Sequence, residues 1–275
     1  MRKRLVMISA VTLAGVLVLL LSIFWGKAFA PDTRMTAKQG KMDVALWDIG
    51  RDPVIRLDGE WEFYWNKLLT TEDFQAEKTV QSASYRKVPS LWSEKQAEGT
   101  KFPAFGCATY RLVLEQVPFR GKLVLKKVNI RFSSRIYVNG RELITDGIPA
   151  QQTVNYRSGN TPQLGFFENN SDKIEIIVQV ANYEYLNSGI PASLELGRED
   201  TMLEQHQRKQ LAALLIFAAL CMIALFHLIF FIITRDMVLR NPVFLLFSLF
   251  CFLFAWGNGL SGFSINSEAV CCRCA

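Results

Sequence analysis

The chain has 275 residues, half of them hydrophobic, a mean hydropathy of +0.16 and 20% charged residues. That average joins long uncharged runs to an ordinary globular middle, so a purely soluble chain is a poor fit. The net charge of +6 is modest and partly gathered in Arg2-Lys3-Arg4. It reads as a topology signal, and without a basic, aromatic-interleaved patch it excludes nucleic acid as the expected partner.

Residues 1–30 open with that basic triplet and run apolar from Leu5 to Trp25. They are either a signal peptide, with Ala28-Phe29-Ala30 as its cleavage site, or an uncleaved signal anchor. Pro31 directly after the cut and the length of the apolar run favour the anchor. Either way residue 31 onward is expected outside the cytoplasm. Residues 31–52 show little periodicity and read as a linker.

The expected sensor domain covers 53–198. Val54–Leu57 and Glu60–Trp65 flank Asp58-Gly59, a two-residue hairpin signal. Along the second arm Trp61, Phe63 and Trp65 share one face, which predicts a half-buried strand. Thr70–Phe74 has the form of a capped helical turn. After a looser stretch, Ser82–Gly106, alternation returns at Tyr110–Leu114 and Leu123–Leu125. Ile136 and Val138 lead into Asn139-Gly140, a second hairpin signal, with Arg141–Ile144 returning. Ile174–Val180 gives a long strand, and Leu194 and Leu196 close the series. Short strands, turn residues and almost no helix predict an antiparallel all-β sandwich.

The period changes at 199–233. Thr201-Met202-Leu203-Glu204 fits a capping box. No Pro or Gly follows until beyond Ile233, so one continuous helix is expected. Its Leu211–Ile233 part, about 23 residues without Asp, Glu, Lys or Arg, would span roughly 34 Å as a helix and is read as transmembrane. Residues 234–242 then form a cytoplasmic loop. Asn241-Pro242 starts a second transmembrane helix over 243–265, and 266–275 is an atypical tail. Cys271, Cys272 and Cys274 in that tail lack the second ligand pair a zinc site needs. Cys107 is alone in the polar middle, so the β-domain is expected to hold together without a disulfide.

Leu57–Trp65, followed by Leu68-Leu69 and Glu72-Asp73-Phe74, resembles the opening of bacterial receptors with seven transmembrane helices and diverse intracellular signalling modules (7TMR-DISM). Ala108–Leu112, Ile136–Gly140 and Gln179–Tyr183 are similar to the galactose-binding-like jelly roll, which also forms the sugar-binding domain of family 2 glycoside hydrolases. The resemblance covers residues 52–263. It implies a jelly-roll sensor outside the cell, a seven-helix membrane unit and an intracellular effector such as a histidine kinase, nucleotide cyclase or phosphatase. This chain carries two helices of that unit and no effector, so the expectation is a truncated receptor in the plasma membrane.

No catalytic set accompanies Glu60 and Glu62, which read as a solvated strand face, and His206 and His227 are far apart. His227, inside an apolar helix, fits a helix–helix hydrogen bond better than proton or metal chemistry. The chain is therefore expected to bind rather than to catalyse, with no cofactor and no metal. The candidate ligand-binding residues are Trp92, Phe105, Arg111, Tyr156, Arg157, Asn182 and Tyr183, with Phe102 and Tyr185 beside them. Aromatic faces stack on sugar rings while Asn and Arg meet hydroxyls, although such aromatics also plug the ends of sandwiches. Expected partners are bilayer lipid, a carbohydrate or similar small ligand, and a second copy or a signalling protein. The open alternatives are a protein-interaction module without a small ligand and a fragment related to a glycoside hydrolase sugar-binding domain.

Overall fold

The structure is a computed structural model that describes residues 35–76, 84–94 and 101–233, with four further helical positions between 246 and 253. The expected N-terminal helix, the loop 234–242, the rest of the second span and the tail lie outside the described residues.

The middle of the chain is mostly antiparallel β-sheet, as the alternation predicts. The larger sheet has seven strands. Its order is β4 (Ser84–Val88), β3 (Gly59–Trp65), β6 (Gly106–Glu115), β11 (Ile174–Asn182), β8 (Ser133–Val138) and β9 (Arg141–Asp146). The short β1 (Lys41–Asp43) lies parallel to β6 at Val113–Glu115, beyond the point where β3 leaves it. The smaller sheet has four strands, β10 (Gln163–Asn169), β7 (Gly121–Lys127), β13 (Glu195–Arg198) and β2 (Val54–Arg56). A small pair, β12 (Gly189–Ile190) and β5 (Ser90–Leu91), closes one side.

The two sheets share one core. The larger contributes Trp61, Phe63, Tyr110, Leu112, Ile136, Ile176 and Val178, and the smaller Ile55, Leu123, Leu125 and Leu196, all buried. The period of two along β3 puts Trp61 and Phe63 inside and Glu60 outside, which is the alternation read from the sequence. The outer face of the larger sheet is covered by residues 66–70 and helix α1 (Thr71–Gln75). Thr109 Oγ1 donates to Lys67 O (2.8 Å) and accepts from Leu69 N–H (2.9 Å). The capped start of α1 is as expected, with the Asp73 carboxylate accepting from the Thr70 N–H at 2.8 Å.

Three expectations are corrected. Asp58-Gly59 does not close a hairpin: β2 pairs with β13 in the smaller sheet while β3 pairs with β4 and β6 in the larger. The dipeptide is a crossing between sheets. Gly59 sits at φ +128°, and a Cβ there would collide with the Ala37 backbone. Asn139-Gly140, with φ +49° and +81°, does close the β8–β9 hairpin, with Val138 opposite Arg141.

The expected linker is, from Met35 on, part of the folded unit. Ala37, Met42, Val44 and Trp47 are buried, and Trp47 Nε1–H donates to Asp52 O at 2.8 Å.

The third correction concerns the cap of the long helix. Helix α2 (Glu199–Ile233) is continuous over the bounds expected, but Thr201 lies inside its first turn rather than at its cap. Glu199 and Asp200 occupy its first turn, where carboxylates favour the positive helix end. Met202 is buried on the outer face of the smaller sheet among Val124, Leu164, Val54 and Phe166. A polar stretch to Gln210 follows, and from Leu211 on the helix is apolar, with Leu211, Leu214, Leu215 and Met222 all more than half accessible. Among the described residues, Glu199–Ile229 alone is long and apolar enough to cross a membrane, by length and composition. Inside it, His227 Nδ1 lies 2.8 Å from Ile223 O.

Candidate functional site

Strand register gathers four connections at one end of the sandwich. Asn182 ends β11 opposite Gly106 at the start of β6. Ser133 starts β8 opposite Ala181, and Asp146 ends β9 opposite Ser134. In the smaller sheet Lys127 ends β7 opposite Gln163 at the start of β10. The connections before β6 (101–105), from β7 to β8 (128–132), from β9 to β10 (147–162) and from β11 to β12 (183–188) therefore emerge together.

Asn182 ties them. It is fully buried; its Nδ2 donates to Ala104 O (3.0 Å), Tyr185 O (2.6 Å) and Ser188 Oγ, and its Oδ1 accepts from the backbone N–H of Glu184 (3.3 Å) and Tyr185 (3.1 Å). Tyr183 reaches the β9–β10 connection by donating to Gln151 O at 2.6 Å. The β7–β8 connection is held by Arg131 N–H to Gly189 O (2.9 Å) and by Gly159 N–H to Phe132 O (2.9 Å). Beneath them a buried ion pair, Lys127 with Asp146, joins the inner faces of the two sheets. Asp146 also accepts from Thr161 N–H at 2.7 Å, which fixes the end of the β9–β10 connection.

The exposed surface of this end is aromatic. Tyr185, half exposed, lies flat on Phe132 with ring centroids 3.9 Å apart and planes 17° from parallel. Phe105 is also half exposed, next to the anchored Ala104. Tyr156 packs edge-on to Tyr183 at 5.2 Å. Burial, then the nearby Glu184 charge, pushes the Tyr156 hydroxyl up to about 12. Burial also raises Tyr183. Several buried polar atoms here have no protein hydrogen-bond partner: Asn129 Oδ1, Arg131 Nε and Asn160 Oδ1. Such atoms are uncommon in folded interiors and mark positions to be met by water or a ligand. The Arg131 guanidinium stands 5.8 Å from the Phe132 ring centroid.

Of the seven candidates from the sequence, Phe105, Tyr156, Arg157, Asn182 and Tyr183 meet at this end. Phe105, Tyr156 and Arg157 offer surface there, whereas Asn182 spends its polar atoms on the loops and acts as a positioning residue. Trp92 is fully buried, its Nε1–H donating to Pro103 O at 3.0 Å. It fills the sandwich beside Trp65, 5.5 Å away, and cannot touch a ligand. Phe102 likewise belongs to the core, near Phe63 and the buried Arg86.

Arg111 lies elsewhere, on the outer face of the larger sheet. It bridges Glu62 (3.1 Å) and Glu175 (2.7 Å) with Phe74 stacked at 4.6 Å. Burial, the largest single cause, lowers its pKa, but the hydrogen bonds and charges of Glu175 and Glu62 together outweigh it and raise it above the ordinary arginine value. Its hydrogen-bonding fork is filled, so it serves to hold α1 and three strands together. The sequence reading missed Phe132, Arg131 and Asn129. Their one signal was an aromatic and a cation in a short connection between two alternating strands.

Among the described residues, no cluster of three or more His, Cys, Asp or Glu is arranged to hold a metal ion.

No family model matches the chain, and no curated protein matches it. Solved structures similar to it include β-glucuronidase from Ruminococcus gnavus in complex with uronic isofagomine, at 15% identity over 52% of this chain and 28% of that one, TM-score 0.38. Another is the GH2 β-galacturonidase from Eisenbergiella tayi bound to galacturonate, at 13% identity over 53% of this chain and 24% of that one, TM-score 0.37. The chain spans under a third of the length of these enzymes.

Proposed function

We propose that the β-domain is a non-catalytic carbohydrate-binding module of the galactose-binding-like jelly-roll type, and that it forms the extracytoplasmic sensor of a membrane receptor. The observation that carries this reading is the Phe132–Tyr185 stack, with Tyr185 half exposed, at a loop end cross-tied by Asn182. A flat, rigid aromatic surface accepts the apolar face of a sugar ring at little entropic cost, and polar side chains of the same connections, such as the exposed Arg157, meet its hydroxyls.

The membrane part of the proposal rests on α2. One unbroken helix is fixed to the smaller sheet at Met202 and runs through two polar turns into an apolar rod from Leu211, so a tilt of the domain would pass along it. The resemblance of Leu57–Trp65 to 7TMR-DISM receptors supports the signalling role, and the basic start of the chain supports an outside location for the domain.

The test is a thermal-shift and glycan-array screen of the full chain in detergent. Stabilisation by at least one saccharide, lost in Phe132→Ala and Tyr185→Ala, is expected. Blanks across the array would refute the reading. A second reading, a docking surface for another protein, is favoured by Val154 and Leu186, which project from the same loops at 92% and 76% exposure. Capture of a membrane partner that survives Phe132→Ala but is lost in Val154→Asp would select it.

A further inference from the structure

The loop end carries two arginines that no carboxylate pairs with among the described residues. Arg131 and Arg157 both lie in its connections, and among the described residues neither forms an ion pair. Arg157 is exposed, whereas Arg131 is half-buried with a solvent-excluded Nε that finds no acceptor. The guanidinium is placed against the Phe132 ring, and Phe132 carries the flat Tyr185. A planar guanidinium fork beside an aromatic face matches a carboxylate carried on a ring. The other charges in these connections are Lys101, exposed before β6, and Glu184, on the rim near Tyr156, while the Lys127–Asp146 pair neutralises itself beneath the loops. Glu184 would repel an anion at the Tyr156 side. That leaves the Arg131 side as the place where negative charge is favoured.

We infer that the site selects acidic saccharides, with the Arg131 guanidinium receiving a sugar carboxylate while the ring stacks on Phe132 and Tyr185. This rests on the carbohydrate-binding reading above and adds the charge class of the ligand and the residue that reads it.

The experiment uses the full chain in detergent. A panel of glucuronate, galacturonate, mannuronate and guluronate oligosaccharides is titrated calorimetrically, each beside its methyl ester and its neutral hexose counterpart. Esterification removes the charge and leaves the ring. At least one acid should bind about tenfold or more tighter than its ester, a preference that weakens with added salt. Arg131→Gln should erase the preference for the acid over its ester, with an unaltered melting temperature. Arg131→Lys should restore part of the preference, because it returns the charge without the fork, and it decides the matter should Arg131→Gln not fold. Acids and esters that bind alike, or a preference that survives Arg131→Gln, would overturn the inference and leave carbohydrate binding standing. Absence of binding by every acid, ester and neutral sugar would remove both.

Discussion

Replacing Asn182 tests whether the loop end is a built site. In Asn182→Ala three donated and two accepted hydrogen bonds disappear from a fully buried position. Ala104 O keeps one partner, since Ser188 Oγ also donates to it at 2.6 Å. The Tyr185 backbone lies in an exposed loop and recovers part of its loss from water. Each buried polar group left unmet costs about 1–3 kcal/mol, so with these offsets the substitution should destabilise by about 3 kcal/mol. For a domain of this size that is a fall in melting temperature of roughly 6–12 °C. Asn182→Asp should behave differently. It keeps the acceptors but turns a carboxyl toward the carbonyls of Ala104 and Tyr185. That raises its folded pKa above the ordinary aspartate value, so its stability is fully present below about pH 4 and is lost as pH rises from there through the raised folded pKa. Circular-dichroism melting of both variants across pH, with hydrogen exchange of 101–105 and 183–188, reads the effect. A loss below about 1 kcal/mol in Asn182→Ala, or an Asn182→Asp variant indifferent to pH, would refute the staple.

Four further outcomes follow from the packing. Lys127→Met should destabilise by about 3–5 kcal/mol by stranding the buried Asp146 carboxylate, and Lys127→Met with Asp146→Leu should recover most of it in urea titrations. Met202→Ala should cost about 2 kcal/mol and speed amide exchange in the first turns of α2, whereas Met202→Leu should cost under about 1.5 kcal/mol. Burial raises Tyr110, and burial with the Glu62 hydrogen bond raises Tyr64, while Tyr156 reaches about 12. Unfolded tyrosines ionise near pH 10, so the folded form holds protons the unfolded form has lost, and stability should be flat below about pH 10 and decline above it, followed by tyrosinate absorbance. Cys107, buried and pushed up to about 11, should resist alkylation at pH near 8 until denaturant is added, read by peptide mass spectrometry.

The strands that carry the core were legible because alternation survives wherever one face is buried: Trp61 and Phe63, Tyr110 and Leu112, Ile176 and Val178 all point inward. Turn chemistry was legible only as turn chemistry. Asn139-Gly140 and Asp58-Gly59 carry similar local signals, yet the first closes a hairpin and the second passes the chain between sheets. The difference lies in distant partners, β13 for β2 and β4 with β6 for β3. The three residues of β1 are too few for a period, so Met42 and Val44 passed as linker. The site was visible as residue types. Burial separates Trp92 from Phe105, though both are aromatics in loop-like sequence, and the Phe132–Tyr185 pair is made by residues far apart in the chain. Arg111 read as a candidate because one strand cannot reveal that Glu62 and Glu175 flank it from two others.

Hydrogen–deuterium exchange of the full chain with and without a saccharide selected by the array places the ligand most directly. Slowed exchange confined to 128–132, 147–162 and 183–188, and abolished in Phe132→Ala, is the result expected of a sugar held on the Phe132–Tyr185 surface. Slowing confined to the covered outer face at 66–75, with the loop end unchanged, would contradict it.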